Sequence, residues 1–179
     1  MKRNAKGFSL IELLIVVAII LIIAAIAIPD LLKSRQAANQ ASAVGSLRTV
    51  NTSEVAYSST YTLGFASSLN ALGPPASTAN SNIAAAGLID SILASGIKSN
   101  YLFMYVSNPA TPGAQTCVAS TAALGTYQIT SAVAAYEISA SPLLCGAGQN
   151  GNFYFTDQSG VIRQNSTAEA SPTDSPLAG

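Results

Sequence analysis

The chain has 179 residues, a formal net charge of zero and charged side chains at only 9% of positions. That length suits one small domain with an accessory element, and the sparse, balanced charge excludes an electrostatic footprint for nucleic acid or a polybasic membrane patch. There is no histidine, which excludes a Ser-His-Asp or Cys-His nucleophile and any His-ligated zinc or copper site.

In chain order, Lys2, Arg3 and Lys6 come first, followed by Gly7-Phe8 and an apolar block with no polar side chain from Leu13 to Ile28. Counted from Phe8, about 21 residues rising roughly 1.5 Å each span about 31 Å, the hydrocarbon thickness of a bilayer. The block is rich in Ile and Val, but its length and lack of turn residues predict a membrane helix rather than a strand. Pro29 follows and predicts a kink or break, because proline lacks the N–H and crowds the preceding turn. The basic leader places the N-terminus in the cytoplasm and everything after Pro29 outside. An ordinary cleaved secretory peptide fits poorly. Its small-residue cleavage site follows the apolar core, whereas Gly7-Phe8 precedes it.

Glu12 is the acid that directly precedes this block. A carboxylate at mid-membrane costs roughly 2.5–3.5 kcal/mol, less near an interface. One account has Glu12 one turn inside the helix, reaching the headgroups. The other needs a partner cation, which cleavage after Gly7 supplies as the free amine of Phe8. An ammonium and a carboxylate about 4 Å apart attract by about 4 kcal/mol at an effective dielectric near 20. The amine of the same chain lies about one turn away; that of a neighbouring subunit would set axial register between helices, the best-attested use of buried charge pairs. Cleavage also removes three cations, leaving five Lys/Arg against eight Asp/Glu, and with them the charges that hold the helix at the cytoplasmic face.

Beyond Pro29 a second helical half runs to about Ser59. Leu32, Val44, Leu47, Val50, Tyr57 and Tyr61 recur at helical steps, with most polar residues off that stripe, so one face packs on a domain. Tyr61 to Pro75 reads as a loop. Ala84 to Ala94 reads as a short helix ended near Gly96, with Asp90 exposed on it. Tyr101 to Val106 is the best strand. Tyr127 to Thr130 and Ala135 to Ile138 predict a second, bent strand, and Phe153 to Phe155 and Val161 to Arg163 flank a hairpin turn at Asp157 to Gly160. The tail after Gln164 reads as loose. Cys117 and Cys145 fall in Gly/Ser/Ala/Pro-rich stretches of the exported part. They predict one disulfide, worth about 3 kcal/mol on the loop-entropy argument; a metal site needs more ligands than they supply.

The stretch KGFSLIELLIVVAIILIIAAIAIP resembles the class III signal and N-terminal helix of type IV pilins and type II secretion pseudopilins, over Lys6 to about Tyr61. The resemblance implies cleavage between Gly7 and Phe8 by a membrane prepilin peptidase, N-methylation of Phe8, and recruitment of the subunit through Glu12. One departure is the lack of a glycine between Phe8 and Pro29: many pilins have one about two turns before the proline, where Leu21 stands here. Pattern and resemblance together imply an α+β pilin fold, a long hydrophobic-then-amphipathic helix packed on a small antiparallel sheet. Its expected parts are a leader (1–7), a transmembrane and filament-core helix (8–28), an amphipathic helix (29–60) and a periplasmic or surface domain (61–179).

The expected function is structural, a subunit of a type IV pilus. Its expected partners are copies of itself in a helical homopolymer, the peptidase, an inner-membrane assembly platform with an ATPase, and lipid before assembly. No cofactor and no small-molecule substrate are expected, and no enzyme activity. The precursor is expected in the inner membrane and the product in an extracellular pilus or a periplasmic pseudopilus. The alternatives are the major pseudopilin of a type II secretion system and, in another class, a membrane-anchored adhesion module that never polymerises. Major pseudopilins hold calcium in a loop near their sheet, which makes Asp157 a candidate ligand; a hairpin corner explains it more simply, since calcium needs six to eight oxygens and acids are sparse here.

Overall fold

The computed structural model describes residues 8–75, 80–108, 133–143, 151–167 and 169–177. The first helix, α1, spans Leu10–Tyr61 and has Pro29 inside it. The expected break at Pro29 is therefore corrected: the helix continues through it. Proline removes one N–H and strains one turn, at about 3 kcal/mol, but long glycine-free runs on both sides favour the helix. Two units divide the chain, Met1–Ala38 and Asn39–Gly179, so both contain part of α1.

In the first unit every large apolar side chain of α1 is exposed, from 45% at Val17 to 79% at Leu10. Within this unit the helix is apolar all round and its side chains are uncovered among the described residues, the pattern of a segment built for an apolar surrounding. With its aliphatic side chains about half exposed, leaving Leu10 to Ile28 in water would cost on the order of 15–20 kcal/mol.

The second unit is a helix-on-sheet layer. Ala43, Val44, Leu47, Val50 and Tyr57 of α1 are buried and share one core with Phe103, Ile138, Ala140 and Tyr154. The predicted stripe holds at Val44, Leu47, Val50 and Tyr57, and Tyr61 packs at its edge. Leu32 lies in the first unit and is exposed.

The expected loop from Tyr61 to Pro75 contains a single helical turn, α2 (Leu69–Leu72), capped by Ser68, whose side chain accepts from the Ala71 N–H. The expected helix over Ala84 to Ala94 shrinks to α3 (Ser91–Ala94). The residues before it are not helical: Asn82 and Ala85 close a turn over residues 83–84, and the backbone donors that follow have other partners. The N–H groups of Ala86, Gly87, Leu88 and Ile89 donate to carbonyls of Ala71, Gly73 and Leu72. These carbonyls at the end of α2 would otherwise be orphaned, and Gly87 permits the path with φ of +72°.

Among the described residues five strands follow: β1 (Ile97–Lys98), β2 (Tyr101–Ser107), β3 (Tyr136–Pro142), β4 (Phe153–Asp157) and β5 (Arg163–Asn165). They form an antiparallel sheet in sequential order, so the α+β expectation holds. β1 was not expected. It pairs with β2 across a two-residue turn at Ser99-Asn100, both with positive φ, the geometry that matches strand twist. The central pair aligns Phe103 with Ala140 and Tyr105 with Ile138, which puts alternate residues toward α1.

The predicted strand at Ala135 starts at Tyr136 and runs on to Pro142, and Tyr127 to Thr130 lies outside the described residues. The last strand is three residues long and lies beyond Val161 and Ile162. Ile162 is buried in the core instead. Nor is the tail loose. Gln164 N–H donates to Ser175 O, and Leu177 N–H to Ile162 O at 2.7 Å; Pro176 bridges Arg163.

Candidate assembly site at the head of the long helix

Ser9 precedes the first helical residue, and its carbonyl accepts the Leu13 N–H at 3.2 Å. Ser9 is therefore the N-cap and Glu12 the third helical position. The Glu12 carboxylate reaches back to accept the Ser9 N–H at 3.1 Å. This is one half of a capping box, in which an acid at the third position satisfies an orphan donor. A carboxylate there also faces the positive end of the helix dipole.

Glu12 thus has a role inside its own helix, which sequence reasoning missed although Ser9-Leu10-Ile11-Glu12 carries the signature spacing. One N–H does not exhaust it, because a carboxylate offers about four acceptor positions. Among the described residues only Ser9 hydrogen-bonds to it. Phe8 lies beside Ser9 and is 79% exposed. A carboxylate with spare acceptor capacity and the candidate amine therefore sit at one end of an uncovered apolar helix.

The remaining predicted residues lie elsewhere. Gly7, Cys117 and Cys145 are outside the described residues. Pro29 is exposed within α1. Asp157 ends β4, where its side chain accepts from the Ser159 N–H at 2.9 Å and from the Ser159 hydroxyl, while its carbonyl accepts the Gly160 N–H. These are the bonds of a turn. Asp90 does more than sit exposed. It caps α3 by accepting the Leu93 N–H at 2.8 Å and pairs with Lys98 at 2.8 Å. The Lys98 ammonium and the Leu93 N–H hold its carboxyl below the usual range.

A second polar cluster went unnoticed in the sequence. Glu54, on the packed face of α1, is fully buried. Its carboxyl accepts the Ala66 N–H at 2.8 Å and lies 2.6 Å from the Tyr105 hydroxyl. Burial raises its pKa, opposed by the bonds from Tyr105 and Ala66. The Tyr136 hydroxyl donates to Asn51 at 3.0 Å, and the Asn51 amide donates to Thr156 at 2.9 Å. The signal was present: Val50, Glu54, Tyr57 and Tyr61 follow one another at steps of four, three and four, so an acid stands on the packing stripe.

With this geometry in place, known proteins can be compared. Residues 2–28 match the family described as the prokaryotic N-terminal methylation motif. The head of the chain is therefore similar to N-terminally methylated proteins, and the expected resemblance holds over this segment. More particularly, 37 residues are 70% identical to the type IV wide pilus major component PilA4 of Thermus thermophilus. The match covers 21% of this chain and only 28% of that relative. No solved structure matches the chain.

Proposed function

We propose that this chain is a structural subunit of a type IV pilus, made as a membrane-held precursor and polymerised through α1. The observation that carries the reading is the exposed, all-round apolar surface from Phe8 to Leu32, headed by Glu12 and lying within and just beyond the methylation motif. The similarity to a pilus major component supports a pilus over a secretion pseudopilus. A prepilin peptidase cuts between Gly7 and Phe8 and the new Phe8 amine is methylated. The helix of residues 8–28 then passes from lipid to a filament core made of other copies, driven by an inner-membrane platform and its ATPase. Both surroundings are apolar, so burial energy changes little. Packing and the pairing of Glu12 with a neighbour's Phe8 amine bias the exchange. The domain of residues 61–179, with 29–60 leading into it, faces outward, and Cys117 and Cys145 form a disulfide there.

Glu12→Gln is the discriminating variant. Glutamine at the third helical position still caps the helix but carries no charge. The expected outcome is a processed subunit, its N-terminal peptide showing a methylated Phe8 by mass spectrometry, with few sheared filaments seen by cryo-imaging. Ordinary filament yield from Glu12→Gln would remove the pairing from the reading. An uncut Gly7-Phe8 junction in the wild type would overturn the reading itself.

A further inference from the structure

The Tyr105 hydroxyl stands between two acceptors. It is 2.6 Å from Glu54 Oε1 and 2.8 Å from the carbonyl oxygen of Ala66. A phenol has one proton, a carbonyl oxygen can only accept, and an ionised carboxylate can only accept. With Glu54 ionised, three oxygens would meet over a single hydrogen, and one of the two contacts would carry no bond. Ala66 and Glu54 are both fully buried, so water does not supply the missing donor.

We propose that Glu54 is carried as the neutral acid in the folded domain at neutral pH, closing a three-membered hydrogen-bond ring that ties α1 to the 62–66 segment and to β2. In that ring Glu54 Oε1–H donates to Tyr105 Oη, Tyr105 Oη–H donates to Ala66 O, and Ala66 N–H donates to Glu54 Oε2. Every donor and acceptor is used once. Loss of the Glu54 proton turns the Tyr105 hydrogen toward the carboxylate and orphans the Ala66 carbonyl. It also leaves a buried anion without a countercharge.

The surroundings agree with the neutral form. The titratable groups facing Glu54 are Tyr57 on α1, Tyr105 on β2 and Tyr136 on β3. Asp157 at the end of β4 acts on Tyr136, and Glu137 lies on the opposite face of β3. Among the described residues no lysine or arginine pairs with Glu54. Burial pushes the Tyr105 and Tyr136 phenols well above their ordinary range, so both remain protonated donors. The 62–66 segment is itself held in place: Phe65 N–H donates to Val133 O at 2.9 Å. The ring therefore joins three elements of the second unit at one proton.

The test is infrared spectroscopy of the full chain in detergent micelles at neutral pH, wild type against Glu54→Gln. Glutamine can keep the ring, its amide donating to Tyr105 and its carbonyl accepting from Ala66. The expected result is a protonated-carboxyl stretch in the wild type that disappears in Glu54→Gln. Unchanged spectra in that region would overturn the proposal. Should Glu54→Gln fail to fold, Glu137→Gln and Glu169→Gln serve: Glu137 is buried, burial raises the Glu169 carboxyl, and the stretch must survive both replacements. Loss of the stretch in either would assign it to that residue and overturn the proposal equally. Thermal midpoints give a second readout. Raising the folded pKa of an acid means that the folded state binds the extra proton, so stability falls as pH rises. The wild-type midpoint should fall relative to Glu54→Gln from about pH 4.5, the ordinary value, upward; parallel curves would refute the ring.

Discussion

Tyr105→Phe deletes one oxygen and leaves the aromatic ring in place. That ring stacks on Tyr136 with centroids 5.8 Å apart and planes 2° from parallel, so packing is preserved and the hydroxyl alone is tested. Its loss strands two buried groups, the Ala66 carbonyl and one oxygen of Glu54. A buried polar group left unsatisfied costs about 1–3 kcal/mol, so the variant should lose about 2–6 kcal/mol in all. Tyr101→Phe is the internal control. The Tyr101 hydroxyl donates to a single acceptor, Asn152 O, at 3.0 Å. The Asn152 residue is only partly buried, so this loss should stay near 1 kcal/mol. Denaturant unfolding of the full chain in micelles measures both, with the slope unchanged and the midpoint lowered. Equal losses in the two variants, or a Tyr105→Phe loss under about 1 kcal/mol, would refute the claim that this hydroxyl bridges two buried acceptors.

Gly64→Ala should destabilise the domain by about 2 kcal/mol or more, since a side chain at φ of +87° is strained and its Cβ would lie 2.1 Å from the Val133 carbonyl oxygen; a thermal midpoint like that of the wild type would contradict it. Asp90→Ala should cost about 1 kcal/mol as a lost N-cap, read from the same melts. Because the Asp90 pKa is lowered in the fold, its contribution is present above the ordinary value of 3.8 and fades as pH falls below it. The wild type and Asp90→Ala should therefore converge in acid, and a gap that persisted there would refute the assignment. Mass measurement under non-reducing conditions should find the chain two hydrogens short of its free-thiol mass, from a Cys117–Cys145 bond; free thiols would contradict an oxidising compartment.

Where one local pattern sufficed, the sequence alone was decisive. The long apolar run was legible as a helix, because length, hydropathy and the absence of turn residues agree over many consecutive positions, and α1 runs through it. The stripe Val44-Leu47-Val50-Tyr57 was legible by its helical period, and the strand at Tyr101 as a short run rich in aromatic residues. Glu12 was legible as the acid that the apolar block does not explain, though its bond to Ser9 was overlooked. Tertiary structure decided the rest. Ala84 to Asp90 has good helix formers, yet it is not helical: Ala84 lies in a turn, the carbonyls at the end of α2 capture the N–H groups of residues 86–89, and no local pattern encodes partners about fifteen residues away. The tail after Gln164 is polar and looks loose, but Ile162 and Gln164 hold it through backbone bonds to Leu177 and Ser175 that side-chain identity does not reveal. Glu54 is the plainest case. Its place on the packing stripe could be read from the spacing, but its partners are a backbone amide twelve residues on and a tyrosine on β2. Whether such an acid is ionised depends on what burial brings against it, and burial is a property of the folded domain.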